Sequence, residues 1–180
     1  MLDVHRLLRV LSTRMAQEYD YHAQAPIWDG AWTGKWNCSS FLAWGLWQVG
    51  DRRMLGCRPY KPWSGSGATF PEWWKTGRIW AWTGWFYEDL ERYAIRVSED
   101  EAVNTPGVIG MYRRKETENR DGFLSGHVNA HIAISLGANR ILEAHGEGVD
   151  TPYGKTYGPK PGVINYRNMS GRFAHWYRLA

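Results

Sequence analysis

Cysteine is scarce in this chain: 180 residues carry two, Cys38 and Cys57. Two cysteines make no disulfide framework, and these lack the paired spacing of a zinc site. A bridge between them would tie up the thiol of Cys38. No apolar run approaches the length of a membrane span, although 43% of residues are hydrophobic. No block of Lys or Arg reads as a nucleic-acid arm. The net charge of +4 and pI near 9.1 suit an anionic partner such as a cell-wall polymer, nucleic acid or a membrane surface, and without a basic block nucleic acid is the weaker candidate. The first nine residues, Met1 to Arg9, are broken by charges and hold no continuous apolar core, so they are not a secretory signal. A protein of this kind that acts outside a cell gets there by another route. Neither an internal repeat nor a domain boundary is evident, and residues 1–180 read as one domain of ordinary size.

What the chain has in excess is tryptophan. Eleven of its twelve lie between Trp28 and Trp85. Most belong in a core, because an indole buries a large area and needs one partner for its N–H. Two or three are expected to line a cleft, since pockets tend to be aromatic-lined. Trp28, Trp32 and Trp36, with Ser39, are the candidates, in and just after a loop over 21–37 broken by Pro26, Gly30 and Gly34. Ahead of that loop, Val4, Leu8, Leu11 and Met15 predict an amphipathic helix within 2–20. A Trp-rich insert over about 51–85 is too rich in Pro and Gly for long regular elements, apart from one turn at 71–75. It reads as a cap over one side of a site. A second short helix is expected over 85–94.

That site centres on Cys38. Phe41, Leu42, Trp44, Leu46 and Val49 fit one helix of about three turns, with Asn37 at its start and Gly50 as its C-terminal cap. A cysteine at a helix N-terminus meets unpaired backbone N–H groups and the positive end of the macrodipole. This favours the reactive thiolate, and the same N–H groups can receive the charge of a tetrahedral intermediate. The bland alternative is a small hydrophobe that merely packs.

From residue 106 the pattern changes to strand, which makes the chain α+β. Residues 107–113 read as a strand and the polar stretch 114–129 as a loop. Residues 131–137 and 140–145 then read as a hairpin around Ala138-Asn139. Alternation sets His131, Ala133 and Ser135 on one face, and Glu143 and His145 share a face of the second strand. His131 at the start of one strand therefore neighbours the end of the other. Cys38, His131 and either Glu143 or His145 supply a nucleophile, a base and an orienting group.

These segments resemble the NlpC/P60 family of papain-like cell-wall cysteine peptidases. Asn37-Cys38-Ser39-Ser40-Phe41 is similar to that family's motif at the head of the catalytic helix. Residues 106–112 resemble its Pro-Gly-Asp-hydrophobic strand, and 131–137 its strand beginning with the catalytic His. The resemblance covers residues 25–145 and extends to closing strands in 162–178. It implies a catalytic helix packed on a central antiparallel sheet. It also implies a third catalytic residue twelve positions after the His, which is Glu143, with His145 as the alternative. Asn37 and Ser40 depart from the usual Asp and Gly. The family's Tyr before the Cys is missing, and Trp28, Trp32 and Tyr21 are the candidates to stand in for it.

The implied function is cleavage of peptidoglycan stem peptides by a cysteine endopeptidase, at the bond between D-glutamate (through its γ-carboxyl) and the diamino acid. The backbone N–H groups of Cys38 and Ser39 would form the oxyanion site, and no metal or cofactor is needed. A phage lysin or tail-associated hydrolase is the expected setting. The alternatives are a CHAP-like N-acetylmuramoyl-L-alanine amidase, an acyltransferase on the same scaffold, or a non-catalytic Trp-rich glycan-binding module.

Overall fold

The computed structural model describes residues 2–15, 17–20, 23, 25–53, 55–59, 79–112, 131–145, 160–165 and 173–180. The middle of the Trp-rich insert, the loop expected over 114–129, and Tyr21 lie outside the described residues. Four helices are described: α1 (Val4–Ser12), α2 (Cys38–Gln48), α3 (Thr83–Tyr93) and α4 (Glu99–Asn104). The strands are β1 (Cys57–Pro59), β2 (Ile79–Ala81), β3 (Ala94–Arg96), β4 (Ile109–Tyr112), β5 (His131–Gly137), β6 (Arg140–His145), β7 (Lys160–Asn165) and β8 (His175–Leu179). Strands β1 and β2 pair with each other, and the other six form one antiparallel sheet in the order β3-β8-β4-β5-β6-β7. Among the described residues, no helix is long and apolar enough to cross a membrane.

Helix α1 is shorter than the pattern over 2–20 predicts. Asp3 caps its start by accepting the Arg6 N–H at 2.9 Å. At its end, Ser12 Oγ and Thr13 Oγ1 donate to the carbonyls of Leu8 and Val10, at 2.8 and 2.7 Å. Hydroxyls bonded back in this way compete with the helical ladder. Residues 18–20 instead run beside Trp36, whose N–H donates to Glu18 O while the Asp20 N–H donates to Trp36 O. The buried stripe also differs: Leu7 and Leu11 are buried, while Val4, Leu8 and Met15 are only partly so. The reason is Gly45 on α2. A Cβ there would lie 2.8 Å from Leu11 Cγ and 3.1 Å from Leu7 Cδ1, so the missing side chain is what lets the two helices touch.

Helix α2 is buried on every side from Cys38 to Leu46, the mark of a helix enclosed by the fold rather than lying on its surface. It packs on the sheet through a core that includes Phe41, Leu42, Trp44, Ile132, Ile134, Leu142 and Tyr177. Its outer side is wrapped by the segment before Cys38. Trp44 Nε1 donates to Asp29 O and Gln48 Nε2 to Ile27 O, both at 2.8 Å. Trp36 sits between, edge-on to Phe41 and Trp44 at 5.6 and 5.2 Å. Such pairs add about 0.5–1.5 kcal/mol each beyond area burial. The helix ends in a Schellman motif: Asp51 N–H donates to Leu46 O, Gly50 N–H to Trp47 O, and Gly50 takes φ +88°.

A second, smaller cluster lies across the sheet, built from Ala102, Val108, Ala133, Ile141, Phe173 and Trp176. The hairpin turn falls at Ala138-Asn139, as the sequence predicts, and both residues have positive φ (49° and 59°). That is the two-residue turn whose twist matches the flanking strands. Asn139 N–H donates to Val103 O at 2.8 Å, so α4 holds the turn.

Candidate active site

The start of α2 is fixed by a reciprocal cap. Asn37 Oδ1 accepts the Ser40 N–H at 2.7 Å, and Ser40 Oγ accepts the Asn37 N–H at 3.2 Å. Ser39 Oγ lies 2.9 Å from Ala81 O and 3.1 Å from Asn37 Oδ1, as donor to either. These bonds anchor the first turn to β2. Cys38 and Ser39 are the first two helical residues, and their N–H groups precede the first intrahelical hydrogen bond, which Phe41 N–H makes to Asn37 O at 3.0 Å.

Hairpin β5–β6 supplies the other two groups. Ile134 pairs with Leu142 and Ser135 with Ile141, so Glu143 stands on the same sheet face as His131, diagonally across the strand pair. His131 Nε2 lies 2.6 Å from Glu143 Oε2. The thiol of Cys38 lies near the same imidazole and helps to favour its charged form. With Nε2 engaged by the carboxylate, the remaining ring nitrogen, Nδ1, is the one that serves the thiol. Cys38 is 7% exposed, His131 9% and Glu143 1%.

Electrostatics follow from this packing. Burial alone favours the neutral imidazole and pulls its pKa down. The Glu143 carboxylate and its hydrogen bond, together with the nearby Cys38, outweigh burial and raise His131 to about 9. A protonated His131 is therefore the stable form at neutral pH. It faces a thiol on one edge and a carboxylate on the other. This arrangement can hold a thiolate–imidazolium pair, and it can deliver a proton to a group bonded at sulfur.

No protein-family model matches the sequence, and no curated protein matches it significantly. Among solved structures, the fold is similar to the crystal structure of the P60 domain of antigen MAP1204 from M. avium subspecies paratuberculosis. The TM-score is 0.51 and the identity 15%, over 98% of this chain and 93% of that one. A likeness at this identity concerns the fold: helices and an antiparallel sheet arranged as in a P60 domain.

The structure thus brings Cys38, His131 and Glu143 together. His145 ends β6, paired in register with Lys160, and the group that His131 meets is Glu143. Of the three tryptophans expected to line a cleft, one is turned into the core. Trp36 is fully buried, with its N–H donating to Gln17 Oε1, so it is a core residue and reaches no substrate. Trp32 is half-buried and donates to Lys35 O at 3.3 Å, while Trp28 is 46% exposed. The Ser39 side chain is also buried and engaged, which leaves its backbone as the part suited to a substrate. The sequence offers Trp36 as a cleft residue because it lies with Trp28 and Trp32 in the loop before Cys38; its pairing with residues 18–20 turns it inward. Phe173, which stacks on His131, carries no polar group and left no chemical signal in the sequence.

Proposed function

We propose that this chain is a cysteine hydrolase of peptidoglycan stem peptides, and that it cuts between the γ-carboxyl of D-glutamate and the diamino acid. The observation that carries the reading is the single imidazole shared by the Cys38 thiol and the Glu143 carboxylate. The likeness of fold to a P60 domain supports it, as do the sequence motifs around Cys38 and His131.

The Cys38 thiolate attacks the amide carbonyl, and the first-turn N–H groups of Cys38 and Ser39 receive the oxyanion. The C–N bond breaks as His131 gives its proton to the leaving amine. A water molecule then attacks the thioester with His131 as base. The acid product leaves and the sulfur returns to its paired state. Glu143 holds the ring in the tautomer that this exchange requires.

The test is digestion of purified peptidoglycans of several stem chemistries by wild type and Cys38→Ala, read by mass spectrometry. Fragments with a new diamino-acid amine, from wild type only, are the expected result. A new L-alanine amine would instead indicate an amidase acting through the same residues. Binding without fragments from either protein would overturn the hydrolase reading in favour of a glycan-binding module.

A further inference from the structure

A buried aromatic ring from the far end of the chain lies beside the His131 ring. Phe173, two residues ahead of β8, stacks on it with centroids 6.2 Å apart and planes inclined by 27°. Trp176 backs Phe173 at 5.2 Å, and both belong to the smaller core cluster. The adjacent Ala174 N–H donates to Met111 O at 3.1 Å, which ties this segment to β4, whose Tyr112 pairs in register with His131. Phe173 is 2% exposed, so it lies against the imidazole inside the fold and not as a surface flap.

An imidazole turns easily about its outer torsion, which is broad and only roughly two-fold. Few of those orientations put Nε2 on Glu143 and leave Nδ1 for Cys38. A buried apolar ring beside the imidazole limits the room for that turn and keeps water from competing for the 2.6 Å contact. We propose that Phe173 is a positioning residue for the reaction assigned to Cys38 and His131, holding the imidazole plane so that both ring nitrogens stay on their partners. This rests on the cysteine–histidine reading of the site, but its test needs no peptidoglycan.

The experiment is the pH dependence of Cys38 alkylation by iodoacetamide, followed on the Cys38 peptide by mass spectrometry. It compares wild type with Phe173→Leu, Phe173→Tyr, Val108→Ala and His131→Ala. Among the described residues, the ionisable groups facing the ring are Glu143 from β6 and Cys38 from α2. The wild-type profile should show an upper limb where His131 loses its proton, near 9. Hydration of the ring in Phe173→Leu weakens both the effect of burial and that of the carboxylate. The limb then moves down by about one pH unit, toward the ordinary 6.5. Phe173→Tyr keeps the stacked ring and leaves the limb in place. Val108→Ala, just ahead of β4 and four residues before the partner of His131, loosens the same cluster and should lower stability without moving the limb.

A Phe173→Leu profile that superimposes on wild type overturns the proposal, and so does an equal shift in Val108→Ala. If wild type already behaves as His131→Ala does, there is no pair to hold, and both this proposal and the hydrolase reading fall. If the limb shifts in Phe173→Leu but wild type cuts no peptidoglycan, the positioning role stands and only the substrate is wrong.

Discussion

Glu143 Oε2 meets His131 Nε2 at 2.6 Å although twelve positions separate the two residues in the chain. The register of β5 against β6 fixes that meeting: the two-residue turn sets Gly137 opposite Arg140, and an irregularity between Ser135 and Gly137 shifts the pairing so that Ser135 faces Ile141 and Glu143 falls on the face of His131. Glu143→Gln keeps the shape and an acceptor but removes the charge that favours imidazolium. Peptidoglycan cleavage should fall about 100-fold, within the range for disabling a general acid–base group, with the fold intact by circular dichroism. Unchanged cleavage rates would remove Glu143 from the mechanism.

Cys38→Ala and His131→Ala should each cut fragment release by several orders of magnitude, to a small residual rate, while leaving a folded protein. Their effects should not add: the double variant should be no slower than either single one, since the two groups act as a unit. Measuring residual activity in all three decides this, and a further loss in the double variant would mean that the two residues act separately.

Stability should depend on pH in a defined direction. Folded His131 keeps its proton up to about 9, whereas its ordinary value is 6.5. The stabilisation from that proton is complete below about 6.5 and is lost as pH rises through about 9. Thermal melts of wild type across this window should show a falling midpoint. Glu143→Gln should show a shallower fall, and parallel curves for the two proteins would contradict the assignment.

Two glycines, one within α2 and one just past its end, should fail differently. At Gly45 an added Cβ meets Leu11 and Leu7, so Gly45→Ala should destabilise by roughly 1–3 kcal/mol through overpacking. At Gly50 nothing lies within 4 Å of an added Cβ, but φ is +88°. Gly50→Ala should therefore destabilise by about 1–2 kcal/mol through backbone conformation alone. Leu11→Ala should rescue the first variant and not the second, as chemical denaturation of the double variants would reveal.

Removing the cap, Asn37→Ala, should cost about 0.5–2 kcal/mol and also reduce the alkylation rate of Cys38. The cap and the nucleophile share one turn of helix. A stability loss with an unchanged alkylation rate would show that the position of Cys38 does not depend on the cap.

Local chemistry made much of this legible in advance. The α2 limits, the Gly50 cap and the Ala138-Asn139 turn are set by residues within a few positions, so the sequence pattern reads them directly. Cys38, His131 and Glu143 could be named because chemistry and alternation single them out. What the sequence hides is decided by distant contact. Leu7 rather than Leu8 is buried because Gly45, 38 positions away, leaves room for it. Trp36 faces inward because residues 18–20 pair with it, and a tryptophan suits a core and a cleft wall equally well. Phe173 escapes because its partner is 42 positions earlier and an apolar ring announces no role.

The sheet order places β8 between β3 and β4, although the other described strands precede it in the chain. A strand that comes after its neighbours in the chain is therefore an interior one: Ala94 waits for Leu179, and Ile109 for Tyr177. Until β8 arrives, β3 and β4 present bare edges, the sheet stays split, and His131 lacks its stacked ring. Assembly thus depends on contacts between distant parts of the chain, which close slowly. A nascent or truncated chain without β8 would carry Cys38 and the hairpin, yet leave its central strands open to pairing with other molecules.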